Sequence, residues 1–267
     1  MFDKTLTTRK AVKMRETSLA NDCIYHVYNR GTDKREIFLD PSYYSRFISI
    51  LKHCLIYNYP YSLLVRSLKT AESKAQKQQV FQRLEKKRVE PFVEIISFCL
   101  MPNHYHLTLK QLSDKGISNF MQRIGNAYTK YFNILQDRSG RLFENTFKAV
   151  PVESEEQLIH LTRYQHINPH SLDLTPKELV NYSWSSLPAY LGTKKLSFVN
   201  PKMVLSAFKN SQSYMDFVLA EIRGSETFHI QDIAIDDDFG WFARLHTMEK
   251  ERKEQLRNRY LEEISNT

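Results

Sequence analysis

The pattern of apolar and polar positions predicts four β-strands in the first part of the chain. Residues 24–29 are rich in aromatic and β-branched side chains, which is typical of a strand. Residues 92–100 are almost continuously apolar, as in a central strand that is buried on both faces. The alternation over 104–110 and the segment 146–152 predict two more strands.

Helical periodicity fills two of the intervals between these strands. Apolar residues keep helical spacing after Pro41 and again over 117–135. The resulting order of strand, helix, strand, strand, helix, strand predicts an α+β ferredoxin-like sandwich built on a central antiparallel sheet. We expect 92–100 and 104–110 to be the two central strands of that sheet.

Additional segments extend this minimal pattern. Residues 61–90 predict a charged helical insertion, and further helical segments follow near 201–223 and 239–264. We therefore divide the chain into three parts: a flexible basic arm at 1–20, a main domain at 21–192 and a helical accessory region at 193–267.

Composition limits the functions that this chain can have. No apolar run approaches the roughly 20 residues that cross a bilayer, and the polar N-terminus does not resemble a signal peptide. Three scattered cysteines suit a reducing cytoplasm. Only 7 glycines are present, without a phosphate-binding loop motif, which argues against a nucleotide cofactor. We expect a cytoplasmic protein that does not contact membranes.

The net charge of +8 favours a polyanionic partner such as nucleic acid. The charge is concentrated between Tyr61 and Glu90, where eight basic residues stand against three acidic ones. A phosphate backbone would be attracted to such a segment. A solvated helix face accounts for the same charges equally well, so the pattern leaves both interpretations open.

His104 and His106 are the first candidates for chemistry. Alternate residues of a strand share one face, so both imidazoles would project from the middle of the sheet on an open face. Two imidazoles at this spacing can share a metal ion. Many pairs of this kind are ordinary hydrogen-bonded histidines, and the spacing alone does not decide between the two.

The helix after β-strand 146–152 offers a second set of polar side chains. Ser154 and Gln157 form a capping box at its start, and Pro169 predicts its end near Asn168. Tyr164 and Asn168 are four residues apart and share one face of this helix. A phenol can attack a phosphodiester, and an amide oxygen can complete a metal site. A surface tyrosine and a helix-capping asparagine fit the same spacing.

Four motifs carry a resemblance to a known family, namely Met101–His106, Gly140–Glu144, Tyr164–Pro169 and Tyr182–Ser186. The chain is similar in these motifs to the single-tyrosine HUH transposases of the IS200-like superfamily, and most similar to their REP-associated branch. The resemblance covers about 21–192 and also includes the first strand, Tyr25–Gly31.

The resemblance implies an HUH endonuclease fold and a specific reaction. His104 and His106 would bind a divalent metal, Mg²⁺ or Mn²⁺, with Asn168 as the third ligand and Tyr164 as the nucleophile. Such enzymes cleave single-stranded DNA, often at a hairpin, through a covalent 5′-phosphotyrosine intermediate. They later rejoin the DNA without ATP. The expected protein is nucleoid-associated and acts as a monomer or homodimer.

Several basic residues near these motifs are candidate DNA contacts. Arg141 and Lys148 correspond to the family's basic strand region, Arg30 ends the first strand, and His160 lies one helical turn before Tyr164. Two alternatives remain open. One is a catalytically silent DNA-binding protein derived from a transposase, and the other is a metal-dependent hydrolase that uses water as its nucleophile.

Overall fold

The computed structural model describes residues 19–57, 59–86 and 89–224. The described strands are β1 (Ile24–Arg30), β2 (Val93–Met101), β3 (His104–Gln111) and β4 (Lys148–Val152). The described helices are α1 (Pro41–Ile56), α2 (Tyr61–Lys69), α3 (Lys74–Glu85), α4 (Gly116–Leu135), α5 (Glu155–Ile167), α6 (Pro176–Val180), α7 (Leu187–Tyr190), α8 (Lys202–Leu205) and α9 (Ser211–Gly224). Most of the predicted arm and the helical segment near 239–264 lie outside the described residues.

The four strands form one antiparallel sheet in the order β2-β3-β1-β4. With α1 between β1 and β2 and α4 between β3 and β4, this is the ferredoxin-like topology that the sequence predicts. The insertion is helical as predicted and consists of α2 and α3. Helices α8 and α9 account for the helical segment predicted near 201–223. None of the helices in the described part of the chain is long and apolar enough to cross a membrane.

The position of β2 differs from the prediction. β3 is central as expected, but its central partner is β1, and β2 lies at the edge of the sheet. Its apolar run is nearly continuous because α5 covers one face of the strand and α4 the other, and a C-terminal segment pairs with its free edge. The backbone amide of Leu100 donates to the carbonyl of Trp184 at 2.9 Å, and Cys99 forms an isolated β-bridge with Ser185. Strand β2 is therefore buried on all sides although it lies at the edge of the sheet.

One face of the sheet packs against α1 and α4. Tyr105 and Leu107 of β3 are buried there, and the ring of Tyr105 lies 5.0 Å from that of Phe47 in α1. Tyr128 of α4 contacts the same Phe47 ring edge-on at 5.0 Å. These contacts confirm that the apolar residues of β3 face the main core and leave its histidines on the opposite side.

Helix α5 lies against that opposite face. The hydroxyl of Ser97 in β2 donates to Oε1 of Gln165 in α5 at 2.6 Å. The expectation of an open face is therefore wrong, since His106 and Thr108 are fully buried. Residues after 192 also contribute to the protein interior, because Val204 and Tyr214 belong to its hydrophobic core.

Candidate functional site

The two histidines of β3 form a compact pair. Their ring centroids are 4.9 Å apart and the ring planes are nearly perpendicular, at 88°. His104 is 5% exposed and His106 is 0% exposed, so both imidazoles are withdrawn from bulk water. The pleat of β3 directs them to the α5 side of the sheet. The pair that the sequence predicts is therefore present, at the centre of the sheet and in a shielded position.

Tyr164 of α5 reaches this pair. Its ring contacts the ring of His106 edge-on, with a centroid distance of 5.6 Å and an interplanar angle of 81°. The helix that presents it begins as predicted, because the Ser154 hydroxyl accepts from the amide of Gln157 at 3.1 Å. The structure thus brings together His104, His106 and Tyr164 from two distant elements of one chain.

Each imidazole is held at its Nδ1 atom. Nδ1 of His104 lies 2.6 Å from Oδ1 of Asn103, and an amide oxygen can only accept, so this nitrogen carries the proton. The lone pair of His104 is consequently on Nε2. Nδ1 of His106 lies 2.9 Å from Nε2 of His26. A proton donated from His106 to His26 likewise leaves the His106 lone pair on Nε2.

His26 is suited to the role of acceptor. Its side chain is buried in β1, and its ring stacks on that of His106 with centroids 5.1 Å apart. Burial, and secondarily the proximity of His106, lowers the pKa of His26 well below its usual value, so the ring is neutral. A ligating histidine whose other nitrogen is fixed by a hydrogen bond is the usual arrangement in metal sites.

The donor set fits a divalent cation that accepts both nitrogen and oxygen. Among the described residues, no group of three or more His, Cys, Asp or Glu side chains could hold a metal ion. The two imidazoles therefore need an oxygen donor of another type. Asn168 caps the end of α5 and is half-buried, one helical turn after Tyr164. Its amide oxygen, water or a substrate phosphate would complete the coordination.

An aromatic residue and a cation extend the site along β1 and β4. The Tyr28 ring lies 4.9 Å from that of His26 and 6.0 Å from that of His106. Nζ of Lys148, an exposed residue of β4, lies 5.6 Å from the centroid of the Tyr28 ring. Sequence reasoning did not single out His26 or Tyr28. The sequence shows their spacing on β1, but it does not show the strand pairing that places them beside His106.

The remaining candidate DNA contacts lie in different surroundings. Arg30 pairs with Glu144 at 3.0 Å and is opposite His104 in the strand register. Arg141 is exposed in the loop before β4. His160 faces α9, with its ring 5.7 Å from that of Phe217. The structure therefore sets Arg30 near the histidine pair and His160 against the C-terminal helix.

The family comparison covers most of the elements that build this site, but β1 and Asn168 lie outside the matched range. The family model described as "Transposase IS200 like" matches residues 64–167, which include β2, β3, α4, β4 and α5. This part of the chain, which contains both histidines and Tyr164, is similar to the IS200-like transposase family.

Several solved structures are similar to this chain. A REP-associated tyrosine transposase bound to a REP hairpin is similar at a TM-score of 0.41 and 12% sequence identity, over 70% of this chain and 96% of that chain. None of the curated proteins matches this chain.

Proposed function

We propose that this protein is a metal-dependent single-stranded DNA transposase that cleaves and rejoins DNA through Tyr164. The observation that carries the proposal is the contact between the rings of Tyr164 and His106, 5.6 Å apart, beside the second histidine of the pair. The family match over the same elements supports it. A nucleophile and a pair of metal ligands therefore meet within one chain.

In the proposed reaction, the Tyr164 oxygen attacks the phosphorus atom of a phosphodiester. The bond between phosphorus and the 3′-oxygen breaks, the 3′-oxygen leaves and takes up a proton, and the phenol loses its own. DNA remains attached through a 5′-phosphotyrosine, and attack by a 3′-hydroxyl reverses the step. Because one ester replaces another, rejoining needs no ATP.

Residues of this chain divide the remaining tasks. His104, His106 and Asn168 would hold Mg²⁺ or Mn²⁺, which when bound polarises the scissile phosphate and stabilises the charge that develops on it. Asn103 and His26 orient the two imidazoles through their Nδ1 atoms. The sheet and α5 exclude water from the pair, which favours attack by the phenol over attack by water.

Basic residues at the edge of the site would hold the DNA backbone. Lys148 is exposed beside Tyr28, and Arg30 is opposite His104 in the sheet, so both are near the reacting phosphate. Arg141 lies in the loop between α4 and β4 and would contact the backbone further along. We propose a hairpin-forming single strand as the substrate, on the basis of the motif resemblance.

The test incubates purified protein and Mn²⁺ with end-labelled single-stranded DNA hairpins taken from the sequence that flanks its gene. Protein–DNA adducts that survive denaturing electrophoresis are then counted. We expect an adduct with wild-type protein and none with Tyr164→Phe. Tyr131→Phe is the matched control, because Tyr131 is also half-buried but lies on α4, on the other face of the sheet.

The two alternatives give different results in the same experiment. A metal-dependent hydrolase would release free DNA ends, and its Tyr164→Phe variant would still cleave the DNA. A DNA-binding protein without catalysis would retain the hairpins but cut none of them. Either result would contradict the proposal.

A further inference from the structure

Two motif residues without a role in the proposed reaction contact each other. His166 follows Tyr164 on α5, and Ser186 belongs to the motif before α7. Nε2 of His166 lies 2.7 Å from Oγ of Ser186, and Nδ1 of His166 lies 2.7 Å from the hydroxyl of Tyr214 in α9. All three side chains are fully buried. The last turn of α5 is therefore bonded to two C-terminal segments.

The hydrogen bonds among His166, Ser186 and Tyr214 form a network. One neutral form of His166 provides a donor or an acceptor for each of these bonds. The Ser186 hydroxyl contacts the backbone of Phe98 in β2: it accepts from the amide at 2.9 Å and donates to the carbonyl at 3.2 Å. Ser186 then has one lone pair left, which accepts the Nε2 proton of His166. Nδ1 of His166 in turn accepts the Tyr214 proton. Every donor has an acceptor, so the arrangement favours a single geometry.

The network lies on a different side of α5 from the reaction site. Successive residues of a helix are about 100° apart around its axis. Tyr164 contacts His106 of β3, Gln165 bonds to Ser97 of β2, and His166 bonds to the C-terminal segments. Three consecutive residues thus bind three separate elements. Rotation of α5 about its axis would break the two hydrogen-bonded contacts while moving Tyr164.

We propose that His166, Ser186 and Tyr214 are positioning residues that fix the rotation of α5 and aim Tyr164 at the phosphate. The proposal rests on the function proposed above for Tyr164. A side-chain atom about 6 Å from a helix axis moves about 1 Å for a rotation of about 10°, and a misplacement of about 1 Å can cost about 100-fold in rate. The C-terminal segment would then help to orient the nucleophile through its contacts with His166.

Tyr214→Phe tests this directly, because it removes one hydroxyl and keeps the ring. The rate of adduct formation in a single turnover, at saturating hairpin DNA and Mn²⁺, is measured beside the dissociation constant for uncut DNA. We expect the rate to fall about tenfold and the dissociation constant to stay within about twofold, since positioning affects attack rather than binding.

Tyr128→Phe is the matched control. Tyr128 is also fully buried, and its hydroxyl donates to the Ile37 carbonyl at 2.6 Å on the opposite face of the sheet. We expect a loss of unfolding free energy similar to that of Tyr214→Phe, without a slower single turnover. A second variant, His166→Gln, should slow the reaction as Tyr214→Phe does.

The outcomes separate the two proposals. If wild type forms the adduct and Tyr214→Phe reacts at the same rate, or if both tyrosine variants slow it equally, the positioning role is wrong and the function of Tyr164 stands. If wild type forms no adduct with any hairpin, the function proposed for Tyr164 fails and the positioning role fails with it.

Discussion

The two imidazoles of the histidine pair differ in their hydrogen-bond partners. His104 bonds to an amide oxygen on the adjacent residue, Asn103, whereas His106 bonds to another imidazole, that of His26 on the neighbouring strand. A neutral imidazole is a weaker acceptor than the carboxylate that often orients a ligating histidine. The orientation of His106 therefore depends on the buried stack of β1 and β3 as much as on the hydrogen bond.

Replacement of His26 should weaken metal binding without touching a ligand. For His26→Leu we expect Mn²⁺ affinity to fall about 10- to 100-fold, since removal of a partner of this kind typically has that effect. His26→Gln should retain most of the affinity, because its amide oxygen can accept from His106. Mn²⁺ titration of DNA-free protein, followed by electron paramagnetic resonance of the unbound ion, measures both. Equal affinity of wild type and His26→Leu would contradict the role of His26.

The residues proposed to bear the chemistry were more predictable than those proposed to support them. His104, His106 and Tyr164 follow from strand alternation, helix spacing and motif resemblance, and the structure brings their rings together. His26 and His166 form hydrogen bonds with residues that are distant in the sequence. Pairing of β1 with β3, and of α5 with a C-terminal helix, depends on tertiary packing, which local patterns do not encode.

Among the elements, α5 was predicted most accurately and β2 least. Both ends of α5 are determined locally, by a serine cap and by Pro169, so the sequence alone places them. An apolar run, in contrast, reports how buried a strand is and not which neighbours bury it. The segment that covers the edge of β2 lies more than eighty residues later in the chain, at Trp184 and Ser185.

The cap of α5 should contribute to the stability of the whole domain. Ser154→Ala removes the acceptor for the Gln157 amide and should lower the free energy of unfolding by about 1 kcal/mol, measured in urea. Ser73→Ala is the matched control, because Ser73 caps α3 with the same 3.1 Å bond. Leu84 is the one buried side chain of α3 in its described range, so this helix adds little to the core.

We therefore expect a smaller loss of stability from Ser73→Ala than from Ser154→Ala. Equal losses would show that α3 unfolds together with the sheet, or that the α5 cap is not specifically coupled to the core. The comparison thus measures how far each helix is integrated into the domain.

For the whole molecule, the distribution of positive charge bears on how DNA binds. The net charge is +8, and the insertion carries many of the basic residues on exposed positions of α2 and α3. The insertion leaves the main domain on the α1 side of the sheet, where the Arg46 guanidinium donates to the Tyr61 hydroxyl at 3.1 Å. The reaction site lies on the opposite, α5 face, so this surface would attract DNA that extends from the site past the edge of the sheet.

Charge reversal at two exposed lysines of α3 tests this contribution. For Lys74→Glu combined with Lys77→Glu, we expect weaker hairpin binding and a shallower dependence of log affinity on log salt, by about 0.7 to 0.9 for each DNA phosphate that the protein no longer neutralises. The matched control reverses Lys194 and Lys195, which are equally exposed but follow α7. Identical salt slopes for both double variants would favour a solvated helix face over a DNA-binding one.

The most direct test of Tyr164 as the nucleophile identifies the residue to which DNA becomes attached. The covalent adduct formed with a hairpin and Mn²⁺ is digested with nuclease and trypsin and analysed by mass spectrometry. Tyr164 is the only tyrosine between residues 149 and 177, whether or not trypsin cleaves after Arg163. We predict a nucleotide joined through its 5′-phosphate to this peptide, at Tyr164. A nucleotide on another tyrosine, such as Tyr28 beside His106, would contradict the account.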